Sequence, residues 1–331
     1  MHSLAKSKKF QLIITDALAG MRLDKALSTH PEVISRTQAS YLIDSGHVLK
    51  NLKPIKSSHK TSLGEIFEVT LIEKSKLDLE PLQLTLDVVY EDDDLIVINK
   101  PAGLVMHPAV GHANDTLVNA LMYHQGITDL KNDNVRPGIV HRIDKDTTGL
   151  VVIAKNELTL QGLAEQFKKK SVHRIYWAII YGHISKVHGT VRSYLRRHPE
   201  QRKKFASEKL TAQMIPKGKL AITHYQVKKH LPNGLSLVHC QLETGRTHQI
   251  RVHMSEMHHP IVGDPIYCSA QRFKSLKSVK TQILLKNNKH MLLHAAELGF
   301  IHPRKKIELK FSTPWSPSVR DLLISLGVTD V

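Results

Sequence analysis

Residues 138 to 149 read Gly138-Ile-Val-His-Arg-Ile-Asp-Lys-Asp-Thr-Thr-Gly149, and the apolar run Leu150-Val-Val-Ile-Ala154 follows at once. His141, Arg142, Asp144, Lys145 and Asp146 crowd one polar turn between two stretches of strand character. A turn so rich in charge is commonly a solvated loop. Between two core strands it is also where a rigid scaffold displays an active-site loop.

Working outward, strand-like runs recur at 88–90, 95–98, 149–154, 175–181, 221–227 and 235–242. Asp115 is placed to cap a helix with Leu117, Ala120 and Leu121 inward. Asn156 is placed to cap another, with Leu160, Leu163, Ala164 and Phe167 at i, i+3, i+4 and i+7. Strands and helices without a regular βαβ alternation predict an α+β fold with a mixed, largely antiparallel sheet over residues 84–331.

Upstream, residues 1–20 read as an N-terminal extension and 21–80 as a small αα-β unit. Met21–Leu27 predicts a short helix presenting Leu23, Ala26 and Leu27. Ser35-Arg-Thr-Gln38 has the form of a capping box opening a second helix that stops at Gly46. Strands follow near 48–49 and 66–71, with Phe67, Val69 and Leu71 alternating onto one face. Residues 73–81 read as a charged linker.

The 331 residues carry 47 Lys and Arg against 30 Asp and Glu, a formal charge of +17. Such an excess attracts polyanions, and nucleic acid fits better than membrane because no apolar run approaches a spanning helix. Met1–Phe10 lacks the apolar stretch of a secretory signal, and two cysteines are too few for a disulfide framework. A cytoplasmic location is expected.

A second dense segment, Glu243-Thr-Gly-Arg-Thr-His-Gln-Ile-Arg-Val-His253, carries Arg246, His248, Arg251 and His253. It reads either as a basic surface for phosphates or as the source of one arginine that pairs with a carboxylate elsewhere.

His141-Arg-Ile-Asp-Lys-Asp-Thr-Thr-Gly149 closely resembles the H-R-L-D-x-x-T-S-G signature of the large-subunit ribosomal RNA pseudouridine synthases, and residues 244–253 resemble their second signature. The likeness extends to Asn99-Lys-Pro-Ala-Gly103, His259-Pro-Ile-Val-Gly-Asp264 and Leu293-His-Ala295. The N-terminal unit resembles the RNA-binding domain of small-subunit ribosomal protein S-four. Two departures stand out. Ile143 replaces the usual Leu, a volume-conserving swap. Asn51-Leu-Lys replaces Asn-Gly-Lys, and Leu52 resists the positive φ of a tight hairpin, so a looser turn is expected.

The resemblance implies a reaction in which the ribose C1′ to uracil N1 bond breaks, the base rotates, and a C1′ to C5 bond forms. This isomerisation requires no metal and no small-molecule cofactor, and none is expected. It implies Asp144 as the nucleophile, attacking either base or sugar, Tyr176 as the ring that stacks on uracil, and Arg246 as the basic partner of Asp144. A carboxylate in a closed pocket drifts toward its neutral form, and a nearby cation restores the anion. Arg142 is the candidate to fill the gap left by a flipped base. His141 is expected to shape the RNA-facing loop. Arg251, Lys168, Lys169, Arg196 and Arg197 are candidate phosphate contacts, with Arg192, Arg202, Lys203 and Lys204 in the same polar insertion. The partner implied is large-subunit (23S) ribosomal RNA or an assembling large subunit. The branch of the family with this domain order implies the helix 69 hairpin loop.

Two other classes compete with this reading. A zinc hydrolase is disfavoured because no H-E-x-x-H occurs and His248 to His253 is an i, i+5 spacing. An RNA-binding ribosome-assembly factor without essential catalysis fits the charge equally, and the Asp144, Tyr176 and Arg246 set argues against it.

Overall fold

The computed structural model describes residues 7–33, 36–72, 80–108, 111–112, 114–124, 138–201, 203–208, 217–231 and 233–328. The chain divides into two compact units, Met1–Asp78 and Leu79–Val331. Among the described residues, no helix is long and apolar enough to cross a membrane.

In the first unit the elements are β1 (Ser7–Ile13), α1 (Leu23–Leu27), α2 (Arg36–Asp44), β2 (Val48–Lys50), β3 (Lys53–Pro54) and β4 (Ile66–Ile72). The sheet order is β1-β4-β2-β3. Leu23, Ala26 and Leu27 of α1 and Phe67, Val69 and Leu71 of β4 are buried in one core, as their spacing predicts. Residues 1–20 are not merely an extension, since Ser7–Ile13 pairs antiparallel with β4 and Leu12 enters the core. Lys8, Lys9 and Gln11 mask its alternation in the sequence. Ser35 of the expected capping box and residues 73–79 of the expected linker lie outside the described residues. The looser β2–β3 turn does not form: Asn51 and Leu52 adopt φ of 50° and 61° while Lys50 pairs with Lys53. Leu52 tolerates this because its side chain projects into solvent, 76% exposed.

The second unit contains β5 (Val88–Glu91), β6 (Leu95–Lys100), α3 (Leu117–Tyr123), β7 (Thr148–Ala154), α4 (Glu157–Lys169), β8 (His173–Tyr181), β9 (His188–Arg197), β10 (Phe205–Glu208), β11 (Lys219–Leu231), β12 (Leu235–Leu242), α5 (Gln249–Glu256), α6 (Val279–Asn287), β13 (Leu293–Ile301), β14 (Glu308–Ser312) and α7 (Pro317–Ser325). Its sheet runs β10-β9-β11-β12-β8-β13-β7-β6-β5, with β14 on β13. Every pairing is antiparallel except β13 with β7. Both faces are covered: Ile96, Ile98, Val151 and Ile153 enter one core, and Leu95, Val97, Leu150 and Val152 enter another. The β6 and β7 runs are therefore continuously apolar.

Asn156 caps α4 as expected, its Oδ1 accepting from Thr159 N–H at 3.0 Å. Asp115 does not cap α3. Thr116 holds that position with Asn119, and Asp115 pairs with His112 at 2.6 Å. The basic insertion forms the β9–β10 hairpin, and the segment after β12 forms α5.

Candidate active site

The turn from Arg142 to Thr147 is fixed from beneath. Lys100 ends β6 with its side chain inward, only 1% exposed. Its Nζ donates to the carbonyls of Pro101 (2.7 Å), Leu104 (3.0 Å) and Lys145 (3.0 Å). Gly103 N–H donates to the same Lys145 oxygen at 2.9 Å. Burial, opposed by Asp146 and Asp144, brings the Lys100 ammonium down to about 7. Gly149 then carries the chain into β7 at φ 110°, so close to Ala295 that a Cβ would lie 2.3 Å from the Ala295 carbonyl oxygen. Only glycine fits there.

With its backbone held, Asp144 extends its carboxylate toward α5. Oδ2 accepts from Arg251 Nη1 at 3.0 Å. Arg251 also donates from Nε and Nη2 to Asp264 at 2.7 and 2.9 Å, and its guanidinium lies 5.2 Å from the Tyr267 ring centre. Burial works against the Asp264 carboxylate, but Arg251 and the N–H groups of Tyr267 and Ile266 hold it below its usual range. Burial likewise opposes the Arg251 charge, and Asp264 with Asp144 more than restores it.

His248 precedes α5 with φ 58°. Its Nε2 lies 3.9 Å from Asp144 Oδ2 and its Nδ1 lies 2.9 Å from the Tyr267 hydroxyl. On β8, Arg174 and Tyr176 share one face, two residues apart. Tyr176 sits between Cys240 on β12 and Ala295 on β13. Burial raises the Tyr176 hydroxyl above its ordinary value against the pull of Arg174, so it stays protonated. Arg142, Asp144, Arg174, Tyr176, Arg246 and Arg251 all line one cleft.

The structure thus brings Asp144, Tyr176, Arg142 and Arg246 together, but the partner of Asp144 is Arg251. Arg246 instead donates from Nε to the Leu220 carbonyl at 3.0 Å and lies exposed in the cleft wall. Arg251, expected on phosphate, has a side chain only 4% exposed and is committed to carboxylates. His141 is turned inward: it stacks on Phe167 and accepts from Val152 N–H at 3.0 Å. Burial, with Arg174 adding to it, pushes that imidazole down to about 3. It faces the core and adds no positive charge to the loop.

Lys168 and Lys169 are exposed at the end of α4, where each pairs with Glu165. Arg196 pairs with Glu208 across the hairpin, and Arg197 lies over the Phe205 ring at 5.7 Å. Arg202 lies outside the described residues. Asp264, Lys100, Arg174, His248 and Tyr267 had no assigned role in the sequence, although Asp264, Lys100 and His248 fall within segments singled out there.

Among the described residues, one cation-attracting cluster lies elsewhere. Asp92, Asp94 and His302 converge, yet Lys305 and Arg304 already pair with the carboxylates at 2.6 and 2.8 Å. His302 Nδ1 accepts two backbone N–H groups, leaving Nε2 to donate to Asp92 at 3.0 Å. That donor set suits an ion-pair network rather than a metal.

Residues 94–256 match the model of the RNA pseudouridylate synthase family. The chain is 42% identical to ribosomal large subunit pseudouridine synthase D of Zymomonas mobilis, over 97% of this chain and 98% of that one. It is 39% identical to the RNA pseudouridine synthase YlyB of Bacillus subtilis, over 92% of this chain and 94% of that one. Among solved structures, human RNA pseudouridylate synthase domain containing 1 superposes with a TM-score of 0.53 at 27% identity. That match covers 74% of this chain and 90% of the human one.

Proposed function

The chain belongs to the RNA pseudouridylate synthase family, and from that membership we propose that it isomerises uridines of large-subunit ribosomal RNA with Asp144 as the nucleophile. The observation that carries this reading is the Arg251 guanidinium, anchored on Asp264 and fixed 3.0 Å from Asp144 at the cleft that Tyr176 and Arg142 also line. The buried cation pairs with the carboxylate and aims it at the cleft, as a nucleophile requires.

The uridine leaves its stack and enters the cleft, and exposed Arg142 fills the space behind it. Tyr176 stacks on the base. The bond from C1′ to N1 breaks, the base turns, and C1′ joins C5. The proton lost from C5 is balanced by one gained at N1. Asp144→Asn keeps the shape and removes the charge, so turnover should vanish while RNA affinity is retained. Substantial turnover in that variant would overturn the assignment. Tyr176→Phe should bind RNA and turn over poorly.

The relative from Zymomonas mobilis is named for the large ribosomal subunit, which favours that RNA as substrate. We assign the helix 69 hairpin loop, because unpaired loop uridines are the cheapest to flip. Pseudouridine mapping with and without the gene tests this, and losses confined to other sites would refute it. The first unit is read as an S-four-like RNA-binding domain. Deleting residues 1–78 should leave the second unit folded, since its sheet lies wholly beyond them. The deletion should flatten the salt dependence of RNA binding, and equal slopes would remove the domain from RNA contact.

A further inference from the structure

We propose that Tyr267 locks His248 as the neutral Nε2–H tautomer, making His248 a fixed hydrogen-bond donor beside Asp144. This rests on Asp144 being the nucleophile.

The assignment follows from counting hydrogens. Phe205 N–H, on β10, can only donate, and it does so to the Tyr267 hydroxyl oxygen at 2.8 Å. The single hydrogen of that hydroxyl is then left for His248 Nδ1 at 2.9 Å. Among the described residues no other acceptor for it is found. Burial pushes the Tyr267 hydroxyl up to about 12, so the hydrogen is present across the physiological range. An imidazole that accepts at Nδ1 carries its own hydrogen on Nε2. That nitrogen lies 3.9 Å from Asp144 Oδ2.

The ring has little freedom to do otherwise. It meets Tyr267 edge-on at 5.5 Å and Phe205 at 5.6 Å. Burial holds the imidazole below its ordinary value, Arg251 and Arg142 add to this, and Asp144 and Asp264 oppose it. The backbone adopts a left-handed φ of 58° to place the ring there, a conformation that a bulky residue keeps only when its surroundings impose it. At 3.9 Å the donor is too far for a bond in the free enzyme. A small shift of Asp144 closes the gap, as catalytic hydrogen bonds commonly do on substrate binding. His248 is therefore a positioning residue that acts through Asp144.

The test uses the full-length protein, a helix 69 transcript, and separate measurements of single-turnover rate and RNA affinity. His248→Gly eases the left-handed backbone but removes the donor. It should lower the rate about 10- to 100-fold, as loss of a hydrogen bond to a charged group does, with unchanged affinity. His248→Gln restores an N–H and should recover part of that rate. Tyr267→Phe frees Nδ1, so it should slow the reaction and introduce a new acid limb as His248 becomes able to protonate. In 15N spectra of histidine-labelled protein, assigned by difference with His248→Gln, His248 should show a bare Nδ1 and a protonated Nε2, and Tyr267→Phe should show mixed tautomers. A protonated Nδ1 in the native protein, or wild-type rates in His248→Gly, overturns the proposal. If Asp144→Asn is inactive while His248→Gly is fast, this proposal alone fails. If Asp144→Asn turns over normally, the nucleophile assignment fails, and the spectrum still decides the tautomer. Should His248→Gly misfold, the glutamine variant and the spectrum decide.

Discussion

Arg251 gives Nε and Nη2 to Asp264 and keeps Nη1 for Asp144. The first pairing is bidentate and buried, so the guanidinium plane is set before any substrate arrives. Asp264 thereby decides where the donor to Asp144 points.

Replacing Asp264 with Asn should therefore damage more than stability. Stranding one charge of a buried pair costs about 3–5 kcal/mol, and the loss here should fall below that because Arg251 keeps Asp144 as a second partner. Urea unfolding should register that loss. Turnover should fall more than RNA affinity, because the guanidinium no longer aims at Asp144. Arg251→Lys should share the kinetic defect, since an ammonium cannot fork to two carboxylates in a plane.

Arg246→Met should behave differently. Arg246 is bonded to a carbonyl and faces the cleft opening, so its loss should weaken RNA binding while the pH–rate profile stays unchanged. The slope of log affinity against log salt should fall by about one if it contacts a phosphate. A displaced acid limb would return Arg246 to Asp144.

Lys100 carries a pH signature of its own. Its ammonium is brought down to about 7, whereas a lysine in an unfolded chain titrates near ~10.4. Below about 7 both states hold the proton, and burying the charge costs stability in full. Between the two values only the unfolded chain binds the proton, so stability rises with pH by at most about 1.4 kcal/mol per unit. Lys100→Met should lack that rise when unfolding is followed from pH 7 to 10. Parallel curves for the two proteins would refute it.

Leu52 is a bulky residue in a left-handed turn, where Cβ costs roughly 1–2 kcal/mol. Glycine there regains part of that cost and loses some to unfolded-chain entropy. Leu52→Gly should raise the stability of the first unit by up to about 1 kcal/mol, read from its melting.

Legibility followed burial chemistry. Strands β6 and β7 could be found because their runs are apolar on both faces, and β8 and β12 because each is mostly apolar and bounded by turns. Strands β1 and β9 were hidden by interleaved Lys, Arg and His, and α5 by a buried face that includes Gln249, Arg251 and His253. These polar groups are buried because they are bonded: Gln249 to Thr244 and Thr223, His253 to Ser193 and Thr223. No apolar period can reveal such a helix. The same gap explains the exchange of Arg246 for Arg251. The segment announced that one arginine could leave the surface, but choosing between them needs the helix phase and the carboxylate of Asp264, thirteen residues downstream.

Strands β7 and β8 are neighbours in sequence but not in the sheet, because β13 lies between them and pairs with both. Ala295 sits beside Gly149 on one side and Tyr176 on the other. During synthesis the chain emerges from its N-terminus, so both halves of the cleft leave the ribosome with the strand that joins them still unmade. A nascent chain ending before Leu293 already holds Asp144, Tyr176 and Arg251 yet lacks the spacer that sets their separation. Tyr176 and Gly149 therefore take their places across Ala295 only once β13 is made and paired.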